Sequence, residues 1–272
     1  MIQPVVRQSR IAWNGGRALN GERALPVEMA VALVFNGSSH AVMMATPADL
    51  EDFAIGFSLA EGIIDAPGDI QELSIHTAEQ GVELRLWLDD AHAERLAARR
   101  RQMAGPTGCG LCGIESLEQA MLPPACVTAM PRFTPQMIAQ ALASLPLAQK
   151  LNAETRAVHA AAYWEPGTGL VALREDVGRH NALDKLAGSL ARRGQAASRG
   201  LLLLTSRVSV EMVQKAARLG AAVIVAVSAP TTLAVHMAEA AGITLIAVAR
   251  EQDFEIFTRA DRVLLEATDH VA

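Results

Sequence analysis

The chain has 272 residues, of which 51% are hydrophobic and only 4% aromatic, and its formal net charge is −5 at pH 7. This length allows one large domain or two moderate ones, and the negative charge argues against non-specific binding to nucleic acid. Three cysteines are an odd number and do not make a disulfide framework.

The sequence shows no targeting or membrane-spanning segment. Residues 1–16 are polar and lack the apolar region of a signal peptide. The longest apolar run, Leu219–Ala229, is too short to cross a bilayer. These features predict a cytoplasmic protein that is not associated with a membrane.

The first half of the chain predicts a small α+β domain over residues 22–104, preceded by an irregular arm over residues 1–21 that shows no hydrophobic periodicity. Apolar runs bounded by turn residues predict two hairpins, and an apolar stripe at helical spacing predicts a helix between them. These elements are Val27–Phe35, His40–Ala45, Leu50–Ile64, Ile70–His76 and Val82–Leu88. The helix is expected to have Thr46 as its N-cap and Pro47 at its first position.

A glycine-framed pair of cysteines, Cys109 and Cys112, lies in a loop and linker over residues 105–133. The following residues, Ile114–Ala120, predict a short helix, whose N-terminus lowers a cysteine pKa from about 8.5 and favours the thiolate. The pair can belong to a sulfur or redox site, to half of a zinc site, or to neither. Structural zinc needs four ligands, and no second pair follows at finger-like spacing.

The second half, residues 134–272, predicts an α/β domain. Short connections between wholly apolar strands predict a mostly parallel sheet with helices on both faces. The expected strands are Val158–Trp164, Gly169–Arg174, Leu201–Thr205, Ala222–Val227, Ile243–Ala249 and an edge strand at Phe254–Thr258. The expected helices are Thr134–Leu147, Gly178–Leu190, Val210–Leu219 and Thr232–Ala241.

Polar residues cluster where the strands of this domain end. The run Arg174–Lys185 has eight polar or charged residues in twelve, and loops 205–209 and 228–232 supply hydroxyls at helix starts. The carboxyl ends of parallel strands meet at one edge, so these loops and Arg250 should converge on an anion site. The alternatives are a solvated helix face and plain helix capping. His159 lies in an apolar strand, which is more typical of a core histidine.

Together these stretches resemble the formate dehydrogenase accessory sulfurtransferase family (FdhD). The resemblance rests on Asp49–Gly62, Gly108–Gly113 (GCGLCG), Arg174–Gly188 (REDVGRHNALDKLAG), Ser209–Ala217 and Ser228–Glu239. Two family glycine motifs are altered, because Thr155-Arg156-Ala157 replaces TGG and Thr205-Ser206-Arg207 replaces SGR.

The resemblance implies a cytidine-deaminase-like C-terminal domain with a smaller domain alongside, usually in a homodimer. It also implies sulfur transfer: a cysteine desulfurase loads a persulfide, which passes to the molybdenum (or tungsten) bis-guanine-dinucleotide cofactor of formate dehydrogenase. Cys109 matches the persulfide carrier, and Cys112 matches its helper; both are expected to be catalytic. No resident metal is expected.

The family is thought to contact the cofactor near the last parallel strand. With the expected anion-binding edge, this gives a set of cofactor-binding candidates: Leu245, Ile246, Ala247, Val248, Ala249, Arg250, Arg207, Ser228, Thr231, Arg179 and His180. One alternative function is a cofactor-binding chaperone without sulfur chemistry. Another is a zinc deaminase, which needs a His-x-Glu motif. His236–Glu239 departs from this motif, because two residues instead of one separate the histidine from the glutamate.

Overall fold

The computed structural model describes residues 2–102 and 124–265. In that part of the chain the strands are β1 (Val5–Asn14), β2 (Arg17–Pro26), β3 (Met29–Phe35), β4 (Ser38–Ala45), β5 (Ile70–Ala78), β6 (Gly81–Leu88), β7 (His159–Glu165), β8 (Gly169–Asp176), β9 (Leu201–Leu204), β10 (Val223–Ala226), β11 (Thr244–Arg250) and β12 (Asp253–Thr258). The helices are α1 (Leu50–Ala60), α2 (Asp90–Gln102), α3 (Pro135–Ala148), α4 (Lys150–Thr155), α5 (Arg179–Arg192), α6 (Val210–Arg218) and α7 (Thr232–Ala241). None of these helices is both long and apolar enough to cross a membrane.

The N-terminal half has a four-stranded sheet in the order β4-β3-β6-β5. Its two antiparallel hairpins are joined through the parallel pair β3–β6. One face carries alternating apolar residues such as Val31, Leu33 and Leu84, which are buried against Phe53 of α1 and Leu96 of α2. The predicted hairpins are therefore confirmed, and this half has its own core.

The C-terminal half has a six-stranded sheet in the order β12-β11-β10-β9-β7-β8. The predicted α/β class is confirmed, but the sheet is not mostly parallel as expected: its parallel pairs are β9–β10 and β10–β11, which are connected by α6 and α7. The β7–β8 hairpin and β12 add antiparallel strands at the two sides. Val127 and Phe133, from the end of the predicted linker, pack into the core of this sheet. The predicted domain boundaries themselves stay predictions.

The expectation of an irregular arm over residues 1–21 was wrong, because β1 and β2 form an antiparallel hairpin in continuous register. Its turn uses Gly15 and Gly16, which both have positive φ angles of 57° and 83°. Most residues of both strands are exposed, including Ile11 and Trp13. Because neither face packs on a core, the strands lack the alternation of apolar and polar residues that would have predicted them.

The sequence predicted Thr46 as the N-cap of α1 and Pro47 as its first residue, and both predictions were wrong, because α1 begins at Leu50. The N-cap is Asp49, in a left-handed conformation with φ 53°. The Thr46 hydroxyl instead accepts a hydrogen bond from the backbone N–H of Val177, at 3.1 Å. A contact between residues far apart in the chain therefore overrides the local capping signal.

Candidate functional site

The two halves of the molecule meet where α1 crosses α5. Gly56 and Gly188 lie at the crossing, and a Cβ on either would collide with the backbone carbonyl of Asp184 or Asp52, respectively. The two helices therefore approach to backbone contact. We call this interface, with the chain segments that lead into α1 and α5, the seam.

A buried ion pair lies at the centre of the seam. Lys185 and Asp176 are both fully buried, and Lys185 Nζ donates to Asp176 Oδ2 at 2.6 Å and to the carbonyl of Thr46 at 2.8 Å. Asp176 also accepts from the N–H groups of Thr46 and Gly178 and from the Asn181 amide. Burial lowers the pKa of Lys185, and Asp176 counteracts this by favouring the ammonium form.

A second group of ion pairs flanks this centre. Arg174 donates twice to Asp52 Oδ2, at 2.8 and 2.6 Å, and Arg192 donates to Oδ1 of the same carboxylate. Lys215 donates to both oxygens of Asp184, whose pKa is raised by burial against the opposing effect of Lys215. Arg174, Asp176 and Lys185 of the polar run therefore bond across the seam, whereas Asp184 pairs with Lys215 of its own half. The alternative of a solvated helix face is wrong for these buried residues.

The loops that follow the parallel strands converge, as the sequence predicted. Val208 and Pro230 form an isolated parallel bridge, and the N–H of Thr231 donates to the carbonyl of Val208 at 3.0 Å. The N–H of Val248, in β11, donates to the carbonyl of Ser228 at 3.3 Å. We call this convergence the edge. Arg207 and Arg250 are exposed there.

The strand β11 is irregular where it reaches the edge. Val248 has a φ of 53°, an outlier for a β-branched residue, and the register with β12 shifts between Ala247 and Arg250. Such strain is concentrated at functional positions in proteins. Leu245, Ile246, Ala247 and Ala249 are at most 1% exposed, so their side chains pack in the core and do not face a ligand. Their predicted contact with the cofactor stays a prediction, and the backbone of this strand would have to make it, because both of its faces are covered.

Five side chains near the edge act on one another electrostatically or through hydrogen bonds, at a place we call the junction. His159 begins β7, Arg179 and His180 begin α5, and Ser209 and Glu211 lie at the start of α6. His180 Nε2 lies 3.8 Å from Glu211 Oε2. The neighbouring His180 and, less strongly, Ser209 hold the Glu211 carboxylate charged and lower its pKa to about 2, against its desolvation. Glu211 is therefore ionised at neutral pH.

His159 lies half-buried at the back of the junction. Burial lowers its pKa, and the positive charges of Arg179 and Arg207 lower it further. The imidazole is therefore neutral at pH 7 and lies within the electrostatic reach of both arginines. His159 is therefore neither a solvated surface histidine nor a fully packed core histidine.

Three buried polar atoms at the junction have no hydrogen-bond partner among the described residues: Arg179 Nε, His180 Nε2 and Ser209 Oγ. The helix-capping alternative therefore fails for Ser209, which makes no capping bond, but it holds for Thr231, whose hydroxyl accepts from the N–H of Ala234. The ionised Glu211 carboxylate lies beside two of these residues, His180 and Ser209, so the junction already contains one anion. Arg179 adds a positive charge and a buried donor that makes no hydrogen bond to the described residues.

The sequence interpretation missed Ser209 and Glu211 as site residues. The one available signal was a serine followed two residues later by glutamate at the start of a helix that follows a parallel strand. The predicted catalytic residues Cys109 and Cys112 lie outside the described residues. The third cysteine, Cys126, is a free, exposed thiol.

One described cluster has the spacing of a metal site. Ligand atoms of Asp65, Asp69 and His92 lie within 4.8 Å of one another. Arg95 donates to Asp65 at 2.9 Å, and His92 Nδ1 lies 2.7 Å from Asp89 Oδ1, so ion pairs also account for the cluster. The Asp89 carboxylate raises the pKa of His92, against desolvation. The expectation of no resident metal stays a prediction.

Comparison with known proteins relates the chain to one family. A model of the FdhD/NarQ family matches residues 26–264. The chain is 55% identical over 260 residues to the sulfur carrier protein FdhD of Agrobacterium fabrum, covering 95% of this chain and 96% of that protein. It is 50% identical over 257 residues to the protein of the same name from Cupriavidus necator, covering 94% and 89%. The crystal structure of a protein described as a formate dehydrogenase accessory protein, from Desulfotalea psychrophila, has a TM-score of 0.76 at 24% identity, covering 96% of this chain and all of that one. This last match concerns the fold alone.

Proposed function

Since the chain belongs to the FdhD/NarQ family, we propose that it is a sulfur carrier protein that takes part in the maturation of formate dehydrogenase. The observation that carries the proposal is the 55% identity, over nearly the whole of both chains, to a protein named as a sulfur carrier. The GCGLCG motif at Gly108–Gly113 provides the thiols that such a role needs. A protein of this kind works in a reducing compartment, and we place it in the cytoplasm.

The first chemical step is a persulfide exchange on Cys109. The Cys109 thiolate attacks the terminal sulfur of a persulfide carried by a cysteine of the desulfurase. That donor cysteine leaves as a thiolate. The new Cys109 persulfide then carries that sulfur, and the donor cysteine is regenerated for another turnover. Cys112 assists the later release of sulfur. The carrier is a sulfurtransferase in this sense, since a covalent sulfur is taken up and handed on.

The sulfur acceptor in this proposal is the molybdenum (or tungsten) bis-guanine-dinucleotide cofactor of formate dehydrogenase. A guanine dinucleotide presents a diphosphate and a base with several hydrogen-bonding groups. The edge offers Arg207 and Arg250, both exposed, with Ser228 between them, while Thr231 is committed to capping α7. Arginine binds phosphate with two parallel hydrogen bonds, so these residues suit such an acceptor.

We also propose that the chain acts as a homodimer. The hairpin β1–β2 is supported by few contacts with the rest of the chain, and Trp13 and Ile11 are 75% and 73% exposed on it. An isolated two-stranded hairpin is only marginally stable in water, so a partner surface would stabilise it. Analytical ultracentrifugation tests this: a monomer at micromolar concentration contradicts the dimer.

Intact-protein mass spectrometry after incubation with a cysteine desulfurase and cysteine tests sulfur loading. We expect a gain of roughly 32 Da that maps to Cys109 and is removed by reductant. Cys109→Ala should lose the gain, and Cys126→Ala is the matched control, because it removes an exposed thiol outside the motif. Equal loading of Cys109→Ala and the wild type would refute the assignment. Full activation of formate dehydrogenase by that same variant would favour the chaperone function.

Calorimetry with GDP, a fragment of the acceptor, tests the edge. Loss of a charged hydrogen bond costs about 1.5–3 kcal/mol, which is roughly ten- to a hundred-fold in affinity. Arg207→Ala and Arg250→Ala should each weaken GDP binding by that order. If both variants bind GDP as the wild type does, the acceptor does not contact this edge.

A further inference from the structure

A cavity of about 380 Å³ opens between the two halves of the molecule, beside the crossing of α1 and α5. The end of α1 and the loop that follows it form one wall, the middle and end of α5 with its following loop form another, and the last turn of α6 forms the third. The cavity shares Asp184 and Lys215 with the seam, but it shares no residue with the edge or the junction. Cavities of this size between two parts of a protein are common binding places for small molecules.

The walls of the cavity are mostly apolar. Leu59 and Ile64 line it from the N-terminal half, and Leu190 lines it from α5. Ala187 and Ala191, one turn apart on α5, have small side chains that leave space between the helices. The transfer of an apolar group from water to such walls is favourable, so they fit the apolar body of a ligand.

Most of the charged groups that line the cavity already have partners. Lys215 donates to both oxygens of Asp184 at 2.7 Å. Asp65 accepts from Arg95 at 2.9 Å. Burial and the nearby Glu61 raise the pKa of Asp184, but Glu61 itself does not line the cavity. These paired groups therefore do not set the sign of the charge that a ligand would meet.

Arg218 sets that sign, because it is a charged group of the cavity that has no partner of its own. It ends α6, is exposed, and makes no hydrogen bond or ion pair with another residue in the described ranges 2–102 and 124–265. Its Nη1 lies against Gly62, where an added Cβ would collide with the guanidinium. The guanidinium therefore lies over the loop after α1, and both residues line the cavity.

We propose that this cavity binds a small amphipathic carboxylate, with its apolar body between α1 and α5 and its carboxylate on Arg218. The guanidinium of arginine can form two parallel hydrogen bonds with a carboxylate, while the apolar walls exclude a second charge. Because such a ligand contacts both halves of the molecule, its binding should stabilise the folded chain. The cavity is separate from the proposed acceptor site, and its ligand does not depend on the proposed function.

Methyl NMR with three probes tests the chemical class of the ligand. Hexanoate has both the apolar body and the charge, hexanol has only the body, and acetate has only the charge. Hexanoate should shift the methyl resonances of Leu59, Ile64 and Leu190, and it should bind about tenfold more tightly than either of the other probes. It should also raise the temperature of thermal unfolding more than hexanol does at the same concentration. Shifts confined to other methyl groups, or equal affinities for hexanoate and hexanol, would overturn the proposal.

Two variants test the two parts of the ligand separately. Arg218→Gln should weaken hexanoate binding about tenfold and leave hexanol binding unchanged, whereas Ala191→Phe fills the cavity and should weaken both. Arg132→Gln is the matched control, because Arg132 is an exposed arginine that does not line the cavity. Hexanoate binding that is unchanged in Arg218→Gln, or weakened equally in the control, contradicts the site. Circular dichroism checks folding, and Arg218→Gln, a change at the surface, decides the question if Ala191→Phe does not fold.

Discussion

Helix α5 contributes polar side chains to two regions, and these regions differ in how fully the side chains are hydrogen-bonded. Along the seam, Lys185, Asp176 and Asn181 are buried and mutually hydrogen-bonded, and the same network reaches the backbone of β4 and Thr46. At its first turn, Arg179 Nε and His180 Nε2 are buried and make no hydrogen bond to the described residues. One run of sequence therefore contributes both to a structural network and to the candidate site.

The difference shows how a buried polar residue can be assigned a role. A network whose donors and acceptors are all matched holds a structure together and leaves nothing for a ligand to bind. A group of donors without acceptors costs stability in the free protein, and a ligand of the right charge recovers that cost. The seam should therefore respond strongly to mutation in its stability, and the junction in its binding.

The largest effect is expected for Lys185→Met. It leaves the Asp176 carboxylate buried without its cation, and breaking a buried pair in this way costs about 3–5 kcal/mol of unfolding free energy. Urea unfolding measures the loss. The double variant Lys185→Met, Asp176→Asn should recover part of it, because no uncompensated charge remains. A loss below about 1 kcal/mol in the single variant would show that the pair does not hold the seam.

The second-largest loss of unfolding free energy is expected for Gly188→Ala. Alanine stabilises a helix by about 1 kcal/mol relative to glycine. At this position its Cβ would collide with the carbonyl of Asp52, so α1 and α5 must separate at a net cost of about 1–3 kcal/mol. Gly68→Ala is the matched control, since a Cβ there meets nothing within 4 Å. A stabilised Gly188→Ala would mean that the helices do not cross this closely.

An intermediate, pH-dependent effect is expected for Glu211→Gln at the junction. The pKa of Glu211 is lowered from 4.5 to about 2, chiefly by His180, so the carboxylate stabilises the folded state above pH 4.5. Partial exposure to solvent reduces this contribution to about 1–2 kcal/mol. The difference in unfolding free energy between wild type and variant should be full at pH 7 and should shrink as the pH falls from 4.5 toward 2. A difference that does not change with pH would assign the effect to packing.

The smallest effect on stability is expected for Ser209→Ala, even though this residue begins a helix. Ser209 makes no capping bond, so its loss should change the free energy of unfolding by no more than about 0.5 kcal/mol. Thr231→Ala is the matched comparison, because the Thr231 hydroxyl accepts from Ala234 and its removal should cost about 1 kcal/mol. Equal losses in the two variants would mean that Ser209 caps α6 after all.

Much of the architecture could be predicted from local pattern. The apolar strands of the C-terminal half are wholly buried, and short connections between such strands specify a parallel sheet wherever they occur. The convergence of the loops after β9 and β10 followed from that topology. The first hairpin could not be predicted in the same way. Its strands have no buried face, so their sequences show no alternation of apolar and polar residues.

Local pattern was enough to predict most strands and helices of the two cores, the meeting of the loops at the edge and the motifs that relate the chain to its family. The folded structure was needed to show which polar residues bond across the seam and which lie at the junction. Spacing along a helix places residues on a common face, but it does not specify which partners lie opposite that face. Asp176 and Lys185 both bond to the backbone of Thr46, which lies between β4 and α1, whereas Ser209 makes no capping bond on its own helix.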